Sequence, residues 1–80
     1  MARRVLDLAR ETTVCGDIAS HVARIVEEMR PGDEILVRTR LPVDAVKESL
    51  EMLEATGIVS IVDVAEREDG VVEVLLRVEG

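Results

Sequence analysis

No phenylalanine, tyrosine or tryptophan occurs in this 80-residue chain. Valine, isoleucine, leucine and alanine must therefore fill the core, and the platforms on which single-stranded nucleic acid usually stacks are missing. Asparagine and glutamine are absent too, and nine of the ten basic residues are arginine, Lys47 being the exception. Missing amides with abundant glutamate fit a thermophile, although a GC-rich genome produces a similar bias. A single cysteine excludes an internal disulfide, and one cysteine with one histidine excludes a standard zinc site within one chain. There is no long apolar run, no secretory leader pattern and no glycine-rich phosphate loop. The expectation is a protein of the reducing cytoplasm, away from membranes, with no metal and no cofactor.

Eighty residues make one domain, 1–80, and a chain of this size buries only roughly 60 to 65% of its unfolded surface. The core will be thin, with no room for a deep substrate cavity. The composition, 48% hydrophobic and 34% charged, suits a globular domain and not a disordered one. The formal charge of −7 opposes binding to a phosphate backbone unless a local basic patch overcomes it. Arg3 with Arg4, and Arg38 with Arg40, are the candidates for such a patch; solvated strand ends are the simpler reading.

Periodicity orders the chain. Leu6 and Leu8 alternate with Val5 and Asp7, as in a short strand over 4–8, and the polar connection "ARETTVCG" follows. Ile18, Val22, Ile25, Val26 and Met29 then recur at helical spacing, with Ser20, Arg24, Glu27 and Glu28 opposite, until Pro31-Gly32 stops the helix. "EILVRTR" alternates at Ile35, Val37 and Thr39 and reads as a second strand, so the first three elements form a right-handed βαβ unit. Pro42 suits the first turn of a second helix with an apolar stripe at Val43, Val46, Leu50 and Leu53 and a cap at Gly57. "IVSIVDVAERE" and "VVEVLLRV" flank Asp69-Gly70, which favours the tight turn of an antiparallel hairpin.

The expected fold is therefore an α/β two-layer sandwich, β-α-β-α-β-β, with a four-stranded mixed sheet and both helices packed on one face. That leaves the other sheet face uncovered. Val72, Val74, Leu76 and Val78 share the covered side of the last strand, whereas Val71 and Leu75 point outward beside Glu73 and Arg77, and Val59 and Ile61 are expected to face outward as well. Such a surface is a candidate for docking or weak self-association; scattered exposed strand residues are the alternative. Elsewhere His21, six residues beyond Cys15, falls on a different side of a regular helix, which argues against a Cys-His pair. Glu48, Glu51 and Glu54 line the polar side of the second helix and read as a solvated acidic face, with Lys47 pairing locally.

This organisation resembles the TusA/SirA-like sulfur-carrier family over nearly the whole chain. The resemblance rests on "LDL" in the first strand, Cys15 opening the first helix, "RPGDEILVR" leading into the second strand, Pro42 opening the second helix and "ATGIVSI" leaving it. The spacing from Cys15 to Pro31, and from Pro31 to Pro42, is also similar. In the family the cysteine belongs to a C-P-x-P motif and carries sulfur as a persulfide. It is loaded by a desulfurase, rhodanese or DsrE-like donor and unloaded onto another protein's cysteine, in tRNA thiolation or sulfur-compound metabolism. The resemblance implies that role for Cys15 alone. This chain departs from the motif by reading Cys15-Gly16-Asp17-Ile18, with Gly16 and Ile18 in place of the two prolines, and by lacking a glycine in the connection before it.

A helix N-terminus favours a thiolate, because its free N–H groups and dipole stabilise negative charge. Asp17 works against this, either by capping the helix itself or by placing a carboxylate near the sulfur, with Arg10 a candidate to offset it. Two functions remain open at this point. One is a sulfur carrier acting through Cys15, a sulfurtransferase-type relay protein more than an enzyme. The other is an interaction or regulatory module that kept the fold without the chemistry.

Overall fold

The computed structural model describes residues 3–8 and 15–79, and of residues 15–17 the backbone alone. The connection over 9–14, including Arg10, and the side chains of Cys15 and Asp17 lie outside the described residues. The elements are β1 (Arg3–Asp7), α1 (Cys15–Val26), β2 (Glu34–Thr39), α2 (Val43–Ala55), β3 (Val59–Glu66) and β4 (Val72–Val78), in the expected order. The four strands form one sheet ordered β1-β2-β4-β3. β1 runs parallel to β2, while β2 and β3 are both antiparallel to β4, so the sheet is mixed.

One core lies between the sheet and the helices. Ile18 and Val22 of α1 and Val46 and Leu50 of α2 meet Ile35 and Val37 of β2 and Val74 and Leu76 of β4, all without exposed surface. Both helices therefore sit on one face, as two single apolar stripes require. Each such side chain contributes about 1.5–3 kcal/mol through burial. Aliphatic side chains alone accomplish this, because the chain has no aromatic ring.

The element ends follow local chemistry. α1 ends at Val26, before Pro31, and its chain tightens through Glu28 and Met29, whose N–H groups donate to the Ile25 and Val26 carbonyls three residues back at 3.0 Å. Met29 still packs against the core from outside the helix. Pro31 and Gly32, with φ +93°, occupy the centre of a turn in which the Asp33 N–H donates to the Arg30 carbonyl, the residue pair a type II turn favours. Pro42 is the N-cap of α2 and not its first helical residue; its carbonyl accepts the Val46 N–H at 3.1 Å. Gly57, with φ +79°, follows Thr56 and donates to the Glu54 carbonyl, the expected stop.

Asp69-Gly70 does close the β3–β4 hairpin, but through a three-residue loop. The Gly70 N–H donates to the Arg67 carbonyl, and the Arg67 N–H to the Val71 carbonyl. With Gly70 at φ +82°, this is a turn followed by a glycine bulge, the common alternative to a two-residue loop. The Asp69 side chain accepts the Val71 N–H at 3.2 Å and braces it.

The outward placement of Val59 and Ile61 is corrected by the sheet register. Val59 pairs with Val78 and Ile61 with Leu76, both core residues; the register then shifts, and Asp63 pairs with Leu75 and Val64 with Val74. Val62 is the extra residue, and beyond it the inward parity changes from odd to even positions. Val59 is consequently buried and Ile61 packs against the core. Val71 is buried too, and of the apolar residues expected to face outward Leu75 remains partly exposed on the far face, beside Glu73 and Arg77.

Adjacent leucines in β4 thus report the two faces separately. Leu76→Ala is expected to destabilise by about 2–4 kcal/mol, because it empties a closed core site. Leu75→Ala should lose less than about 1.5 kcal/mol. Urea unfolding midpoints compare them directly, and equal losses would contradict the facing assigned here.

Candidate functional site

Two regions carry the residues of interest. The first is the end of the molecule at which both helices begin. Because β1 and β2 are parallel, α1 must return against their direction, which brings its first residue, Cys15, to the end where those strands finish. α2 starts at the same end, directly after β2, and the β3–β4 turn lies there as well, since Val72 pairs with both Thr39 and Glu66. Buried Thr39 shapes the entry to α2 by accepting the Leu41 N–H at 3.2 Å, and Arg40 Nη1 donates to the Asp69 carbonyl at 3.2 Å. The positive ends of two helix dipoles therefore converge on one end of the fold. α1 begins at Cys15 itself, so Asp17 stands inside the first turn and not at the cap.

The second region is the sheet face away from the helices. Strand register arranges it in three rows across the strands: Arg3, Glu34 and Arg77; then Val5, Leu36 and Leu75; then Asp7, Arg38 and Glu73. Charge alternates along each outer row, and the middle row is apolar. Arg3 Nη2 lies 2.8 Å from Glu34 Oε1. Arg38 reaches Asp7 at 3.4 Å through Nη1, while its Nε stands 3.1 Å from Glu73 Oε2, a charge contact out of line for a hydrogen bond. Arg67 approaches the other oxygen of Glu73. Asp63, Leu36 and Leu75 line an open hollow of about 200 Å³ on this face. Val5 is 59% exposed and Val62, at the bulge, 43%.

Leu36 and the assembly of the outward charges into two rows went unread in the sequence, although Leu75, Glu73 and Arg77 were expected to face outward. The signal was present in "EILVR", where Glu34, Leu36 and Arg38 hold the parity opposite to Ile35 and Val37, but it acquires meaning only once β1 and β4 are set on either side.

The other candidates resolve simply. Arg3, Arg38 and Arg40 have the partners above and Arg4 pairs with Glu28 at 2.8 Å, so these four arginines are interleaved with acceptors and form no basic patch. His21 is half-buried on α1. Glu48 and Glu51 are exposed, and Lys47 takes part in none of the ion pairs among the described residues. Glu54 serves the structure directly, since its Oε2 accepts the Ile61 N–H at 2.9 Å and so satisfies a donor on the edge strand β3 beside the bulge. Among the described residues no helix is long and apolar enough to cross a membrane, and no group of three His, Cys, Asp or Glu could hold a metal ion.

No protein-family model and no curated protein sequence matches this chain.

Arg38 is the only cation between Asp7 and Glu73 in their row, and Glu73 is largely covered. Arg38→Ala is expected to destabilise by about 1 kcal/mol, because it leaves a covered carboxylate with fewer partners. Lys47→Ala should change stability by no more than about 0.5 kcal/mol. Denaturant midpoints for the two variants that moved equally would refute this role for Arg38.

Proposed function

We propose that this protein is a small cytoplasmic sulfur carrier in which Cys15 accepts sulfur as a persulfide from one protein and passes it to another. The observation that carries the reading is that α1 begins at Cys15, at the end of the fold where the second helix also starts. The first-turn backbone N–H groups of a helix have no partner within the helix and favour a thiolate over a thiol, and the thiolate is the nucleophile in sulfur exchange. The similarity to TusA/SirA-like carriers in element order and in the position of the cysteine supports the same role.

The transfer needs no cofactor. The Cys15 thiolate attacks the terminal sulfur of a donor persulfide; the new S–S bond forms as the donor's S–S bond breaks, and the donor leaves as its thiolate. Delivery repeats the exchange, with the acceptor's thiolate attacking the outer sulfur on Cys15. Proteins of the desulfurase, rhodanese or DsrE-like type have the chemistry of donors. A reducing compartment suits the lone thiol.

A second reading has its own support. Ile18, standing where the family has its second motif proline, is fully buried in the core. That position serves packing here, and Gly16 leaves the backbone beside the thiol freer than a proline would. An interaction module that retained the fold without the chemistry would look the same, and its working surface would be the uncovered sheet face.

Intact-mass measurement after incubation with a persulfide donor separates the two. A carrier gains one sulfur on the wild-type chain and none on Cys15→Ser, and Asp17→Asn should raise the alkylation rate of Cys15 several-fold at fixed pH by removing a neighbouring negative charge. Equal sulfur uptake by Cys15→Ser would sink the carrier reading, and no uptake by either protein would favour the module.

A further inference from the structure

On the uncovered sheet face opposite charges pair across strands within one chain, and the two charged rows also stand in a definite relation to each other. Read across β1, β2 and β4, one outer row has signs plus, minus, plus at Arg3, Glu34 and Arg77, while the other has minus, plus, minus at Asp7, Arg38 and Glu73. The rows are charge inverses of each other, on either side of the apolar row of Val5, Leu36 and Leu75. A two-fold axis lying across the strands along that apolar row exchanges the two charged rows. Arg3 of one copy then stands opposite Asp7 of the other, Glu34 opposite Arg38, and Arg77 opposite Glu73. Each apolar residue meets its own counterpart.

We propose that this face binds a second copy of the same chain, sheet against sheet, with the two-fold axis along the Val5–Leu36–Leu75 row. This is an isologous contact, in which one patch is complementary to itself. Charge complementarity favours a second copy as the occupant: with one row the inverse of the other, the face is complementary to itself. Packed sheets rotate by about 30° relative to one another, which displaces the Arg3/Asp7 corners most and the four charges on central strands β2 and β4 least.

The same geometry sets the strength. Three to four strands at about 4.8 Å and five residues at about 3.3 Å give a patch roughly 15–20 Å on each side, at the small end of interface sizes. Asp63 continues the apolar row onto β3 and would meet its counterpart across the axis. The dimer is consequently weak and reversible, and Asp63→Asn tightens it. An axis running along the strands is the competing arrangement. It would set Leu36 against Leu75 and leave Arg3 and Asp7 opposite Ser60 and Ala65, forfeiting one charge pair.

Sedimentation equilibrium from about 10 µM to about 1 mM covers the affinity range expected, at about 0.15 M salt, where repulsion between two acidic chains is largely screened. The expected result is a mass rising from monomer toward dimer. Leu75→Glu should weaken association at least about tenfold, because it buries two carboxylates against each other. Arg77→Glu, an exposed substitution that leaves the core intact, should weaken it several-fold by facing Glu73. Circular dichroism verifies that both variants fold. Orientation is read by a short bis-maleimide in a Cys15→Ser background, where Leu36→Cys should cross-link to itself. A mass that stays monomeric at about 1 mM, or self-association indifferent to both substitutions, would overturn the proposal. So would cross-linking of Leu36→Cys only to Leu75→Cys in a mixture.

Discussion

The antiparallel pairing of β2 with β4 is the contact on which the rest of the molecule depends. It joins the βαβ half of the chain to the C-terminal hairpin and makes these two strands the centre of the sheet. On the helix side it sets Ile35 against Leu76 and Val37 against Val74, the floor of the core on which both helices rest. On the other side it sets Leu36 against Leu75, with Glu34 beside Arg77 and Arg38 beside Glu73. A slip of β4 by one residue would turn its other face to the helices, burying Glu73 and Arg77 and exposing Val72, Val74, Leu76 and Val78. Burial and charge pairing thus demand the same register from opposite faces.

Helix faces were legible because a straight helix keeps one period for its whole length. The stripes Ile18-Val22-Ile25 and Val46-Leu50-Leu53 point where the pattern put them. The strand β3 misled for the complementary reason: its parity changes at Val62, and nothing in "VSIVDVAE" marks the change, since valine and isoleucine stand on both sides of it. Only the partner strand, through Leu76 and Leu75, and the Glu54 carboxylate holding the Ile61 N–H, locate the bulge. Val71 misled because it lies before β4, in the turn, where its N–H donates to the Asp69 carboxylate and the residue is buried. Cys15 was legible as the residue opening α1. Its Asp17 neighbour was ambiguous because aspartate suits both an N-cap and the first turn.

Working without aromatic rings has consequences for the whole architecture. Aliphatic side chains bury less area apiece than rings do, so nearly every valine, leucine and isoleucine facing the helices must contribute. Little apolar material is then left for the far side of the sheet. That the middle row there is still Val5, Leu36 and Leu75, while the rows on either side are charged, is notable in a chain where one-third of residues are ionisable by composition.

The two regions of interest lie on different parts of the fold. The helix layer covers one face of the sheet, and Cys15 opens that layer at its end, whereas the apolar row lies on the face without helices. Two copies meeting sheet to sheet would put both helix layers on the outside, so the start of α1 would lie away from the contact whether the chain is single or paired. A sulfur carrier needs its thiol reachable by two successive partners. A contact through the sheet satisfies that need, whereas one through the helices would compete with it. If the two roles coexist, pairing changes the number of thiols presented together without altering the chemistry of each.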